Sequence, residues 1–368
     1  MKVNMKKRMA IFLSIMLVLP TIIMALPMAS TEVSAASSYV LVENTLASNP
    51  YTGVKGVDEV KIEVGTKLNF GDYVNVTIVK SRIETRKLAT DVKAKYKSSK
   101  KSVASVSSKG VVTAKKTGTA KITVSYQGKK VEQKFKVVKK GTLKSTPKLD
   151  GLKKKALAIK NNMPSKVTAK NAIKVYKLVK DYENYVSENE ANVSKYGFAT
   201  KTNKHTYGNM TYITYEPTEG LIVPEATYYC KMARKLSEFL NANRPTGSSP
   251  SAKMLVIKSA SKKKDGIAVK FTKKVSQEQV LSAKLSDSSF GSRETSSTTK
   301  AYASVEVFDT KDKKYYSGRM EIKKGSNKGT ITLYKYDFEK RKYVKQKINS
   351  GRMYRIFSVK NTIEVKIK

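Results

Sequence analysis

The sequence is poor in the side chains that most often carry out chemistry. Its 368 residues include one cysteine, Cys230, one histidine, His205, and no tryptophan. A single cysteine cannot form a disulfide within the chain, so the fold has to be stabilised by packing. One cysteine and one histidine are also too few for a structural zinc site, which needs four ligands. The absence of tryptophan counts against a carbohydrate-binding platform built from indole rings.

The motifs of nucleotide-binding and hydrolytic enzymes are missing as well. The sequence has no glycine-rich phosphate loop, and Asp309 and Asp312 are too sparse for a calcium loop. A Ser-His or Cys-His pair would have to use His205, which is predicted to be a solvated loop residue in the polar stretch 200–207. Cys230 is interpreted as a packing thiol on a predicted helix. We therefore predict no catalytic residue, no metal ligand and no cofactor, and expect the protein not to be an enzyme.

Acidic residues are scarce, which leaves the chain strongly basic. It carries 73 Lys and Arg against 29 Asp and Glu, a formal net charge of +44. The lysines are scattered over the whole chain, whereas a groove that follows a nucleic-acid strand concentrates charge on one element and interleaves it with aromatic residues. We therefore expect no specific nucleic-acid partner.

Two interpretations of this charge stay open. The lysines form either a solvated surface without a ligand or a surface that retains the protein loosely on anionic envelope polymers. The lysines proposed as polyanion contacts are Lys153, Lys154, Lys155, Lys262, Lys263 and Lys264.

Long hydrophobic runs are confined to the beginning of the sequence. Four basic residues between Lys2 and Arg8 precede the apolar run 9–28, and small residues at 33–36 follow it. This order predicts a bacterial secretory signal peptide over residues 1–35, with cleavage after the last of them. A retained anchor is the alternative, although two prolines interrupt the run. We expect a secreted or cell-wall-associated bacterial protein without a membrane span after cleavage.

The stretch from Tyr96 to Val138 has the clearest strand pattern. Apolar and polar residues alternate around Ile122 and again around Phe135, and Gln127-Gly128 between them fits a hairpin turn. Short strands at this spacing are typical of a β-sandwich.

The same stretch contains an ordered set of short motifs. They are Tyr96-Lys97-Ser98-Ser99, Ser102 to Val106, Gly110 to Ala114, and Lys116 to Thr123. In these motifs the chain resembles the bacterial immunoglobulin-like group 2 family, with Tyr96 where that family usually has tryptophan. The resemblance covers residues 59–139 and implies a small β-sandwich of the kind found in bacterial surface and secreted proteins, often as a spacer or adhesion module. It supplies no catalytic residues.

After a basic linker at 140–147, the hydrophobic period becomes helical. Three helices are predicted within a helical region at 148–245: one over 149–161, one capped by Thr168, and one over 225–243. A second linker at 246–252 leads to alternating patterns that predict another β-sandwich over 253–368. Residues 36–58 are interpreted as a lead-in segment. The expected protein is therefore multidomain and mainly β, with two immunoglobulin-like β-sandwich modules flanking a helical region.

Three tyrosines in the helical region are candidates for contact with a partner: Tyr207, Tyr212 and Tyr215. Aromatic rings can stack on sugar or peptide partners, and tyrosine is enriched at interfaces. The alternative is that these rings, together with Tyr228 and Tyr229, fill the core of the helical region.

The leading functional hypothesis is a non-enzymatic surface protein that acts in adhesion, presentation or surface structure and contacts envelope polyanions, an extracellular glycan or a protein. One alternative is a glycan or peptidoglycan hydrolase with its site in 148–245, where Glu183, Glu188 and Glu190 are the available carboxylates. The other alternative is a protein-binding component of a larger secreted assembly. This last hypothesis predicts an exposed apolar patch in the same region.

Overall fold

The computed structural model describes residues 38–47, 57–80, 83–246, 254–286, 298–358 and 361–366. The predicted signal peptide and its cleavage site lie outside these residues. Within the described part of the chain, no helix is both long and apolar enough to cross a membrane. The chain divides into two compact units, the first formed by residues up to 164 with 177–234, the second by 165–176 with 235–368.

The described elements up to residue 246 include twelve strands and three α-helices. The strands are β1 (Tyr39–Asn44), β2 (Glu59–Glu63), β3 (Lys67–Asn69), β4 (Val74–Lys80), β5 (Ile83–Leu88), β6 (Lys95–Ser98), β7 (Ala104–Val106), β8 (Val111–Ala114), β9 (Gly118–Tyr126), β10 (Lys129–Val138), β11 (Phe198–Tyr207) and β12 (Met210–Ile222). The helices are α1 (Pro147–Asn161), α2 (Ala172–Asn189) and α3 (Ala226–Ala242). The division between the two units falls within α2 and α3.

The first unit contains three sheets that share one core. Their strand orders are β1-β4-β5, β11-β12-β2-β10-β9-β6 and β3-β8-β7. The residues predicted to point inward do so, because Ile122, Val124, Phe135 and Val137 are all buried. The rings of Phe70 and Phe135 meet edge to face at the centre of this core, 5.5 Å apart.

The predicted lead-in segment contributes a strand to this unit. β1 pairs antiparallel with β4, from Tyr39 opposite Val79 to Asn44 opposite Val74. The Asn44 amide is buried and donates to Gln133 Oε1 on β10 at 2.8 Å. Residues 38–47 therefore belong to the folded first unit and are not a separate lead-in segment. The residue pattern of such a short, mixed segment does not predict this pairing.

Helix α1 follows the predicted pattern closely. The Thr146 side chain accepts a hydrogen bond from the Leu149 N–H at 3.2 Å, and Pro147 occupies the first turn, as expected for an N-terminus. Its buried residues are the predicted set Leu149, Leu152, Ala156 and Ile159. Gly151 allows Tyr185 of α2 to lie against the helix, since a Cβ there would meet the Tyr185 hydroxyl at 2.0 Å.

The region predicted to be helical also contains a β-hairpin. β11 and β12 pair antiparallel from Phe198 to Ile222, and β12 joins β2 in parallel through Leu221 and Lys61. The hairpin thereby extends a sheet of the first unit. Its Thr, Tyr and Ile residues favour a strand, a local preference that the surrounding helical pattern conceals.

The remaining elements form one antiparallel sheet and a helix. They are β13 (Ile257–Lys263), β14 (Gly266–Phe271), α4 (Gln277–Ser286), β15 (Lys300–Asp309), β16 (Lys314–Lys323), β17 (Lys328–Asp337), β18 (Lys342–Gln346), β19 (Met353–Ser358) and β20 (Asn361–Lys366). The strand order is β13-β14-β17-β16-β15-β19-β20, and β18 pairs with β17.

This second sheet encloses its own core instead of stacking on another sheet. β13 and β20, at its two ends, are in contact, and α4 packs against β15. The predicted inward residues Ile267, Val307, Ile331 and Leu333 are fully buried. Buried and exposed residues alternate along these strands as predicted. Because the strands are long and strongly twisted, the single sheet coils back on itself. The second β-sandwich that the sequence predicts is therefore one curled sheet.

Candidate functional site

The β11–β12 hairpin carries the tyrosines predicted to contact a partner. Its strands are joined by Gly208 and Asn209, and Gly208 has a φ of +55°, which suits a two-residue turn with glycine in the first position. Residues directly opposite each other in an antiparallel pair lie on the same face. Tyr207 lies opposite Met210, and His205 lies opposite Tyr212. We call these four side chains the tip platform.

The tip platform is an exposed apolar surface. The exposed fractions are 75% for Tyr207, 74% for Met210 and 44% for Tyr212. The His205 ring stacks on Tyr212 with centroids 4.9 Å apart and 15° between the planes. His205 Nε2 also lies 2.7 Å from Thr214 Oγ1. Two of the four side chains are thus already ordered, which lowers the entropy lost when a partner binds.

The opposite face of the hairpin tip is mostly polar. It carries Lys204, Thr206 and Thr211, with Ile213 as its exposed apolar residue at 42%. The exposed apolar surface is therefore concentrated on the face of the tip platform. Ile213 on the opposite face is about as exposed as Tyr212, so it can serve as a control position.

His205 does not lie in a solvated loop, and that prediction is wrong. It belongs to β11 and is part of the tip platform. Met210 was overlooked in the sequence. The sequence does contain a signal that places both residues on one face of a hairpin. His205 and Tyr207 are two residues apart before the Gly208-Asn209 turn, and Met210 and Tyr212 are two residues apart after it.

Tyr215 lies apart from the other two candidate tyrosines. It is opposite Thr202 and therefore on the face that carries Ile213. Its partial burial raises its pKa to about 12, and a hydrogen bond to the Glu190 carboxylate adds to this effect. Tyr215 anchors the base of the hairpin, whereas Tyr207 and Tyr212 share the tip platform.

The alternative that the aromatic rings fill a core applies to the tyrosines of α3. Tyr229 is buried and stacks on Tyr182 of α2 with centroids 4.2 Å apart. The Tyr228 ring lies under the Lys160 ammonium of α1 at 5.4 Å. These contacts hold the three helices together, and among the candidate tyrosines they leave Tyr207 and Tyr212 open to a partner.

The carboxylates considered for a hydrolase lie in three different settings. Glu183 is half-buried, where it pairs with Lys180 at 2.6 Å and accepts a hydrogen bond from the Tyr229 hydroxyl at 3.1 Å. Glu190 accepts from Tyr215, and Glu188 is exposed. Among the described residues, no group of three or more His, Cys, Asp or Glu side chains could hold a metal ion.

Cys230 packs against the core of the first unit, as predicted. Burial raises its pKa to about 12, and the charge of Asp72 acts in the same direction. Burial also lowers the pKa of the neighbouring Lys195. The thiol is therefore protonated at neutral pH, and its setting is that of a structural cysteine.

The lysines proposed as polyanion contacts fall into two settings. Lys153 pairs with Glu225 at 3.3 Å and Lys155 with Asp181 at 2.9 Å, while Lys154 is exposed between them on α1. At the β13–β14 turn, Lys262 donates to Ser350 at 2.7 Å and Lys263 to Thr330 at 3.1 Å. Lys264 is exposed there.

Comparison with known protein families finds a match within the first unit. Residues 75–138 match the family model of the bacterial Ig-like domain (group 2). The match confirms the resemblance based on the motifs between Tyr96 and Thr123, and domains of this family occur in bacterial surface proteins. No curated protein matches the chain.

Proposed function

We propose that this protein is a non-enzymatic, exported component of the bacterial surface whose Ig-like unit presents the tip platform to a protein partner. The observation that carries the proposal is the concentration of exposed Tyr207, Met210 and Tyr212 on one face of the hairpin. Tyrosine and methionine are enriched in the buried centres of protein interfaces. Their exposure at the end of a projecting hairpin makes them accessible to another molecule.

The hairpin is suited to presentation because its attachment is rigid while its tip is exposed. Phe198 and Ile222 at its base are buried, and β12 is hydrogen-bonded into a sheet of the Ig-like unit. Aromatic anchors with few rotatable bonds lose little conformational entropy on binding. A partner would therefore meet an ordered aromatic surface, which fits a role in adhesion or in holding a surface assembly together.

The Lys-rich surface supports retention of the protein near the cell. A net charge of +44 attracts anionic envelope polymers such as those of a cell wall. Such binding is diffuse and sensitive to salt, and it does not select one partner. We infer that charge keeps the protein at the envelope and that the tip platform selects the partner.

Sedimentation with envelope fragments tests the role of the tip platform. At about 0.5 M NaCl, diffuse charge attraction is screened and partner binding remains. The variants Tyr207→Ser and Tyr212→Ser should bind at least about tenfold more weakly than the unchanged protein, since loss of an aromatic anchor costs more than about 1.4 kcal/mol. Ile213→Ser, the matched control on the opposite face, should bind normally.

The protein nature of the partner is tested in the same assay. Treating the envelope fragments with protease before mixing should abolish the salt-resistant binding. Equal binding by Tyr212→Ser and Ile213→Ser, or full binding after protease treatment, would contradict the proposal.

A further inference from the structure

A row of aromatic side chains crosses the outer face of the second unit's sheet. Tyr343 on β18 lies opposite Tyr336 on β17, and Phe308 on β15 lies opposite Tyr315 on β16. Ser317 pairs with Tyr334, so continuing that register by two residues places Tyr315 beside Tyr336. The row therefore runs over four adjacent strands, and Phe357 on the next strand, β19, adjoins it. We call these five residues the aromatic strip.

The aromatic strip is open to solvent. The exposed fractions are 60% for Tyr315, 42% for Tyr343 and 37% for Phe357. The rings of Tyr315 and Phe357 are near-parallel, with 27° between their planes and 6.2 Å between centroids. With neighbouring strands about 4.8 Å apart, rings on four strands extend over roughly 15 Å. Such a strip can hold several flat groups at once.

The part of the second unit's sheet that carries the aromatic strip is basic in sequence. Residues 300–358 contain sixteen Lys and Arg against six Asp and Glu. Lys345 lies opposite Tyr334 on the same face, next to Tyr343. Arg355 lies opposite Phe308 and is paired with Glu364 at 2.6 Å, and Glu306 is the acidic residue opposite Phe357. The surroundings favour a ligand that is negatively charged along its length.

We propose that the aromatic strip binds single-stranded nucleic acid without sequence preference. Exposed bases stack on aromatic side chains, and every base offers a flat face for this contact. Lys345 on the face of the strip, together with the net positive charge of residues 300–358, attracts the phosphates that link the bases. A β-sheet that displays aromatic rings and is flanked by cations is a common surface for unpaired bases.

Other polymers fit the aromatic strip less well. A duplex buries its bases in the stack, so it offers phosphates but no free base faces to the rings. A neutral glycan can stack the C–H faces of its puckered rings on the strip, but it makes no use of the positive charge. The strip also consists of Tyr and Phe, and the chain has no tryptophan, which counts against a carbohydrate-binding platform built from indole rings.

The fold explains why the sequence does not reveal this surface. The five residues are spread from Phe308 to Phe357, and each belongs to a different strand. No segment of the sequence interleaves them with lysines in the pattern that predicts a nucleic-acid groove. Pairing of the strands brings together rings that the sequence separates.

Fluorescence anisotropy of the full chain with a labelled single-stranded oligothymidine tests the proposal. Tyr315→Ala should weaken binding about tenfold, as expected for the loss of one stacking ring, and Tyr315→Phe should bind like the unchanged protein. Tyr207→Ala, which removes an even more exposed ring from the tip platform, should leave oligonucleotide binding unchanged. Failure of this experiment would thus leave the proposed role of the tip platform unaffected.

Competitors distinguish the aromatic strip from a surface that only attracts charge. Unlabelled single strands should displace the probe at much lower concentration than the matching duplex or inorganic polyphosphate. Equal competition by polyphosphate, with Tyr315→Ala binding normally, would overturn the proposal in favour of charge alone. Displacement by a neutral glycan that also depends on Tyr315, without oligonucleotide binding, would overturn it in favour of a glycan site.

Discussion

At the scale of single residues, Asp72 makes the first unit sensitive to pH. Its side chain is buried, where Thr90 donates to Oδ1 at 2.9 Å and Asn69 donates to Oδ2 at 2.8 Å. Burial raises the pKa of this carboxyl to about 6, although both hydrogen bonds oppose the shift. The folded chain therefore holds a proton that the unfolded chain has already released between about pH 4 and pH 6.

It follows that the free energy of unfolding of the first unit should fall as the pH rises through this interval. The difference amounts to about 2 to 3 kcal/mol for a shift of this size in a buried group. Asp72→Asn should remove this part of the pH dependence. Urea unfolding followed by circular dichroism at pH 4 and pH 7 measures it, and an identical pH dependence in the variant would contradict the account.

In the second unit, Asp309 has the opposite relation to pH. Burial alone would raise its pKa, but hydrogen bonds from Arg352 at 2.8 Å and from the N–H groups of Asp312 and Lys311 outweigh burial and lower it. These bonds tie the β15–β16 turn to the start of β19. The stabilisation is present above the ordinary carboxyl pKa and is lost as the pH falls through the lower, folded value.

Asp309→Asn should therefore lower the free energy of unfolding of the second unit by about 3 kcal/mol, because the buried ion pair is broken. Asp312 contacts the same arginine but is 32% exposed, so Asp312→Asn should cost less than about 1 kcal/mol. Denaturant unfolding at neutral pH compares the two variants. Equal losses would show that burial of Asp309 is not what matters.

At the scale of elements, the tip of the hairpin should be dispensable for folding. Its side chains are exposed, whereas the base at Phe198 and Ile222 is buried. Deleting 204–207 and 210–213 keeps Gly208-Asn209 as the turn, now between the opposed residues Asn203 and Thr214, and preserves the register below it because an even number of residues leaves each strand. The thermal midpoint should change by less than about 3 °C, since little apolar area is lost from the core. Differential scanning calorimetry measures this change, and loss of the first unit's transition would contradict it.

The elements differ in how far the sequence predicts them. Helix α1 and the strands from Tyr96 to Val138 follow local patterns, such as the cap at Thr146 and the alternation around Ile122, and they form as predicted. In α2 the helical spacing of Ile173, Tyr176, Val179, Tyr182 and Val186 predicts one buried stripe, and this prediction is only partly right. Val179 and Tyr182 are buried, whereas Ile173 is half-buried and Val175 takes its place in the core. Packing against neighbouring elements determines which of two nearby residues of a helix is buried. The periodicity of the sequence carries no information about that packing.

The candidate site was predictable only in part, for a similar reason. Tyr207 and Tyr212 stand out as aromatic residues in a polar stretch, but the face they occupy depends on the register of β11 with β12. That register also separates them from Tyr215 and adds His205 and Met210. Long-range pairing determines these relations, and the helical pattern on either side hides the strands that produce them.

At the scale of the whole molecule, the charge predicts salt-sensitive retention on the envelope. The chain of net charge +44 should sediment with protease-treated cell walls at low salt. This binding should weaken at least about tenfold between 50 and 300 mM NaCl, as screening and counterion release predict. Tyr212→Ser should behave like the unchanged protein in this assay. Absence of binding at low salt would rule out retention by charge.

The central claim, that the tip platform is the surface that contacts a protein partner, is tested most directly by hydrogen–deuterium exchange. The exported protein is compared alone and bound to envelope fragments at about 0.5 M NaCl, where diffuse charge attraction is screened. The account predicts that exchange slows at the backbone amides of residues 203–214 in the bound state. Unchanged exchange at 203–214, with slowing elsewhere in the chain, would contradict it.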